Sequence, residues 1–237
     1  MVKETFIMQT ELVASDDGRH TYEVRRSWSK EGGKGLVLEL YPTLSAGRCG
    51  ELDLSTMHLL NHVKDFGWGL VRIVNLYSLV CAGKLKTSQL EYDAENVAYM
   101  EEILESKDIR DYDIVIATGS SFSSHVRTVE MKADIFQMIV DKGLEQQVKC
   151  IVAEPMSGEA KNAAHPLFLG LHYGRHVWKL EPYQLREELK LLKEVIHKEA
   201  VTVTVPQNAG SGGEKKEKPD VSIANQEKAA AKKGGKK

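Results

Sequence analysis

The chain has 237 residues, 42% of them hydrophobic and 28% charged, which is enough apolar material for a real core and excludes a wholly disordered protein. Its net charge of −2 hides an asymmetry: from Gln207 onward eight lysines face four acids, a surplus of +4 that leaves −6 on the body before it. An acidic body is a poor non-specific ligand for a phosphate backbone, and no apolar run reaches the roughly 18 residues of a membrane span.

The N-terminal MVKETFIMQTELVASDDG alternates polar and apolar residues and lacks the basic start and apolar stretch of a signal peptide. Three cysteines, Cys49, Cys81 and Cys150, are an odd number without CxxC spacing. They read as buried structural thiols of a reducing, cytoplasmic protein rather than as a disulfide framework or zinc site.

Taken in order, Glu4–Ala14 and Arg19–Trp28 are β-rich and flank Ser15-Asp16-Asp17-Gly18, a hairpin turn. Glu31-Gly32-Gly33-Lys34-Gly35 breaks the chain before LVLELY, residues 36–41, a buried strand. Asp53–Phe66 has the helical period, with Leu59, Leu60 and Val63 on one face and Asp53 or Ser55 as N-cap. LVRIVNL, residues 70–76, is the second strand.

Asp93 caps a helix to about Ser106, and DIVIAT, residues 113–118, is the third strand, closed by Gly119-Ser120-Ser121. A long helix runs from about Ser123 to Asp141, with Gly143 as its stop signal. Val148–Ala153 is the fourth strand, Val177–Leu180 a short fifth, and Pro182–Ala200 an amphipathic closing helix. The alternation predicts an α/β fold, a three-layer α/β/α arrangement with a central, mainly parallel four-stranded sheet, the hairpin adding antiparallel strands at an edge. Residues 1–205 are expected to form this single domain. Residues 206–237, rich in Gly, Lys and Ala, are expected to be a disordered tail.

In an open parallel sheet, ligands bind beyond the carboxyl ends of the strands. That rule selects Tyr41-Pro42-Thr43-Leu44-Ser45 and Asp53 after the first strand, Asn75 at the end of the second, Thr118-Gly119-Ser120 after the third, and the loop Glu154–Leu169 with His165-Pro166-Leu167 after the fourth. Each residue also suits a structural role, the prolines in turns and Gly119 in a tight bend. GxGxxG, GxxxxGK[ST], GxSxG and HExxH are absent, which argues against P-loop hydrolysis and dinucleotide chemistry. His58 and His62 share the i, i+4 spacing of a metal pair but lack a third ligand, and read as a solvated helix face. No metal or cofactor is implied.

These blocks resemble a family of mostly bacterial and phage proteins, domain-of-unknown-function family 1643, from about Tyr22 to Leu169. The resemblance rests on RHTYEVRRSW, LVLELYPTLSAG, DLSTMHLLNHVKDFGWGLVRIVNLYSL, DAENVAYMEEIL, IVIATGSS and HPLFL. The family's Asn-Leu, Gly and His-Pro-Leu match Asn75-Leu76, Gly119 and His165-Pro166-Leu167. Its Asn-Pro-Ser-Thr turn is altered, with Tyr41 in place of Asn while Pro42 and a hydroxyl at Thr43 remain.

That family is distantly similar to the uracil-DNA glycosylase superfamily, and the similarity implies roles as well as a fold. Asn75 would contact a base edge through its paired donor and acceptor, and His165 would stabilise the departing base anion. Tyr41, Pro42, Thr43, Gly119 and Ser120 would line the base or ligand site. Tyr41 cannot activate water as a carboxylate would, so Asp53 is the acid nominated beside His165 for catalysis. Three readings follow: a nucleobase- or nucleotide-binding protein on a glycosylase-like scaffold; an N-glycosidic hydrolase acting on a base or modified nucleic acid; and a protein-interaction module in phage–host conflict. The corresponding partners are a nucleobase, nucleotide or nucleic acid, with no membrane.

Overall fold

The computed structural model describes residues 1–154 and 163–204. The hairpin forms as expected, with β1 (Gln9–Ala14) antiparallel to β2 (Thr21–Ser27). Its turn is held by the Gly18 N–H donating to Ser15 O, with Gly18 at φ +69°. Then follow β3 (Gly33–Glu39), α1 (Leu54–Phe66), β4 (Trp68–Asn75), α2 (Ala94–Glu105) and β5 (Tyr112–Ile116). The chain continues with α3 (Val126–Asp141), β6 (Val148–Ala153), α4 (Pro166–Tyr173), β7 (Trp178–Pro182) and α5 (Leu185–Thr204).

The protein is an α/β protein whose sheet is mixed and has seven strands in the order β1-β2-β4-β3-β5-β6-β7. The sheet is larger than its expected central four strands because the hairpin and β7 both join it. The four apolar strands β4, β3, β5 and β6 do pair in parallel. The hairpin extends one edge through β2 against β4, and β7 extends the other against β6, both antiparallel.

Period-two alternation divides the core. Leu36, Leu38, Val74, Ile114 and Ile116 face one side, packed with Met100 and Ile103 of α2, Phe136 and Ile139 of α3, and Leu189 of α5. Val37, Val71, Ile73, Val115 and Ala117 face the other, against Leu59 and Val63 of α1, Leu169 of α4 and Trp178. The connection leaving β3 thus runs to one face, while those leaving its neighbours β4 and β5 run to the opposite one. Chains that part in this way open a crevice at the carboxyl end of the sheet.

Four further expectations are corrected. The segment after His165 is a helix rather than a loop, with Pro166 at its first position, where a missing N–H costs nothing. The closing helix starts at Leu185 because Pro182 ends β7. His62 is buried, not solvated: its ring stacks on Trp178 at 3.9 Å and 4°, and Asp65 bonds its Nδ1 at 2.9 Å. Of the cysteines only Cys150 is buried, while Cys49 and Cys81 are half-buried. The lysine-rich tail and residues 155–162 of the loop after β6 lie outside the described residues. Among the described residues no helix is long and apolar enough to cross a membrane.

Candidate functional site

The alternation that builds the α1/α4 face of the core also builds the site. Val37 and Ile73 are buried there, and two residues further along come Glu39 and Asn75, register partners in the parallel β3–β4 pair. Side chains of such partners stand side by side on the same face. Ala117 is followed likewise by Gly119, beyond the end of β5. The apolar layer therefore gives way to polar groups where the strands end, beneath the N-termini of α1 and α4. A cavity of about 590 Å³ opens there, within the range of small-molecule sites.

Every residue nominated from the sequence lines this cavity: Tyr41, Pro42, Thr43, Asp53, Asn75, Gly119, Ser120 and His165. Tyr41 forms a wall, its hydroxyl donating to Gly83 O at 3.2 Å, and does not fill the space. Asp53 caps α1, as its position predicts: Oδ1 accepts the Thr56 N–H at 2.7 Å and Oδ2 accepts the Thr43 hydroxyl at 2.6 Å. The carboxylate thus ties the loop after β3 to the helix start. Pro42 O accepts the Cys81 N–H, which joins that loop to the one after β4. Gly119 lies at φ +66°, and its N–H donates to Ala163 O at 2.8 Å, bringing the β5 loop against the segment that carries His165. A Cβ at Gly119 would stand 3.1 Å from His165 Cβ, so glycine serves both the turn and the close approach.

His165 is the N-cap of α4, and its Nδ1 accepts the Leu167 N–H at 3.2 Å. That bond assigns the proton of the neutral ring to Nε2, which faces Glu39 Oε2 at 3.6 Å. Desolvation lowers the His165 pKa to about 4, so the ring is neutral near pH 7 and presents a donor to the cavity. Glu39 is only 6% exposed. Its burial, with a smaller contribution from the charge of Asp53, pushes its pKa up to about 8.

Three buried polar atoms of the lining find no hydrogen-bond partner among the described residues: Glu39 Oε1, Asn75 Oδ1 and Thr118 Oγ1. Asn75 and Thr118 are each 2% exposed. Buried polar groups in folded proteins are nearly always paired, so three unpaired atoms in one cavity call for a partner there, water or ligand. The backbone around Asn75 is held firmly, with Asn96 Nδ2 donating to the carbonyls of Asn75 and Leu76.

Sequence reasoning missed Glu39 and passed over Thr118 as a mere neighbour of Gly119. The signal for Glu39 lay in plain view: one carboxylate inside the otherwise apolar run LVLELY, in a strand read as buried. Among the described residues no group of three or more His, Cys, Asp or Glu side chains is placed to hold a metal ion.

A family model described as a protein of unknown function (DUF1643) matches residues 21–167. The match contains the site residues from Glu39 to His165. No curated protein and no solved structure matches the chain.

Proposed function

From the premise that the chain belongs to the DUF1643 family, we propose that its cavity binds a nucleobase, free or as part of a nucleotide, on a glycosylase-like scaffold formed by the four parallel strands and the helices on their two faces. The observation that carries this reading is the trio of unpartnered buried atoms, Glu39 Oε1, Asn75 Oδ1 and Thr118 Oγ1, in one cavity. A base edge offers donors and acceptors in one plane, and the Asn75 amide is the side chain best matched to it. Val24, Leu44, Ile73 and Phe168, also in the lining, supply apolar surface for a ring's faces.

Thermal denaturation with a panel of bases, nucleosides, nucleotides and short oligonucleotides tests the reading, because a ligand of the folded state raises its melting temperature. One or more bases or nucleotides should raise it, and Asn75→Ala should remove the rise. A flat response across the panel sinks base binding.

A second reading, N-glycosidic hydrolysis, is favoured by the neutral His165 with its Nε2 proton directed into the cavity. Water would add to the sugar anomeric carbon as the carbon–nitrogen bond breaks and its electron pair leaves with the base. His165 Nε2–H would donate to that anion, and Asp53 would take the proton from water. A target base in a duplex would have to be flipped out first. Strand cleavage by heat or alkali after incubation with uracil-containing or modified DNA reads out abasic sites. Their complete absence removes this reading and leaves binding.

A further inference from the structure

Glu39 has a counterpart that shows what a buried carboxylate in this fold ordinarily requires. Glu23, 3% exposed, meets Arg72 Nε at Oε1 and Arg72 Nη2 and the Tyr99 hydroxyl at Oε2, all within 2.7 Å. Glu39 is buried nearly as deeply, yet among the described residues no lysine or arginine pairs with it, and Oε1 has no partner at all. His165 Nε2 lies near it but beyond hydrogen-bond distance, 3.6 Å from Oε2. An unpaired buried anion is too costly to persist, and a carboxyl group in this position takes up a proton instead. A protonated carboxyl is a donor as well as an acceptor.

We infer that Glu39, as a carboxylic acid, donates a hydrogen bond to a carbonyl oxygen or ring nitrogen of the bound ligand, beside the acceptor that Asn75 Oδ1 offers. The inference rests on the base-binding reading and narrows it. Register pairing places Glu39 and Asn75 on adjacent strands with side chains on one face. The two therefore offer a donor and an acceptor side by side, and suit a ligand edge that carries an acceptor next to an N–H donor. The other titratable groups lining the cavity are Tyr41, Asp53, His165 and His172. Of these, Asp53 opposes ionisation of Glu39 and none supplies it with a fixed cation. Recognition by Glu39 is accordingly tied to its proton, and binding weakens once the group ionises.

Calorimetric titration of the full chain with free bases at about pH 6.5 and about pH 9.5, for the wild type, Glu39→Gln and Asn75→Ala, tests this. The glutamine amide keeps a donor and an acceptor and never ionises. Wild-type binding should weaken roughly tenfold or more at the higher pH, while Glu39→Gln should change much less. Titration of the base itself affects both proteins equally and cancels in the comparison. Equal pH dependence in wild type and Glu39→Gln, or none in either, overturns the role of Glu39 while base binding stands. No binding of any base at either pH overturns both. Should Glu39→Gln fail to fold, infrared spectra of the wild type decide. A protonated-carboxyl band near neutral pH that fades as pH rises through about 8 and moves on adding a base supports the inference. A band that is absent, or indifferent to the base, overturns it.

Discussion

His165 Nε2 and Glu39 Oε2 stand 3.6 Å apart, one at the cap of α4 and the other at the end of β3. Burial holds each in its neutral form, the imidazole by lowering its pKa to about 4 and the carboxyl by raising its own to about 8. A pair brought together from distant parts of the chain, and neutral on both sides, is a hydrogen-bonding surface rather than a salt bridge.

The two shifts have opposite consequences for stability. Between about pH 4.5 and 6.5 the folded chain holds a proton on Glu39 that the unfolded chain has lost, and lacks one on His165 that the unfolded chain carries; the two contributions cancel. Between about pH 6.5 and 8 only Glu39 counts, and stability falls by about 1.4 kcal/mol per pH unit. Glu39→Gln should be level over that upper window and should instead lose stability as pH falls from about 6.5 to 4, the His165 contribution standing alone. Urea denaturation across this pH range checks both slopes.

Asn75→Ala and Thr118→Val each remove a polar oxygen that lacks a partner among the described residues. Both should therefore leave the melting temperature unchanged or raise it, Thr118→Val by the equivalent of about 1 kcal/mol. Asn75→Ala should at the same time weaken base binding by about 1–3 kcal/mol. Stability gained as binding is lost, in the same variant, is the outcome expected of a functional site.

Gly119→Ala places a side chain on a backbone at φ +66° and within 3.1 Å of His165 Cβ. It should cost about 1–2 kcal/mol in stability. Because the strain falls on His165, ligand binding should decline further than the lower melting temperature explains. Binding measured well below the melting temperature separates the two effects.

Asp65 joins α1 to β7, its Oδ2 accepting from the Trp178 backbone N–H at 3.0 Å and bonding His62 Nδ1 at 2.9 Å. Asp65→Ala strands both groups under the stacked rings and should destabilise the protein by about 2–3 kcal/mol, read as a lower urea midpoint. The cavity draws on other residues of α1, so ligand affinity measured under native conditions should change little.

Much of the architecture was legible from local chemistry. Asp53 and Asp93 each cap the helix that their position predicts, and Gly143, at φ +63°, follows the end of α3. The strand VKCIVA occupies the predicted residues 148–153. Such signals need only neighbouring residues, so the chain states them openly. The edge at β7 was less legible, because that strand carries only one buried residue and owes its place to pairing with β6. The start of α4 was masked by a His-Pro that reads equally as a turn.

By itself the sequence determined the order of the strands and of every helix but α4, and the strand ends near which Tyr41, Asp53, Asn75, Gly119 and His165 reside, because caps, periodicity and strand ends are local properties; the family followed from the resemblance of whole blocks. Only the tertiary structure decided that β3 lies between β4 and β5, that Glu39 is buried with no lysine or arginine paired to it among the described residues, and that His62 stacks on Trp178 instead of facing water. Strand neighbours, desolvation and ring contacts all depend on which distant segments meet, and no local pattern records that.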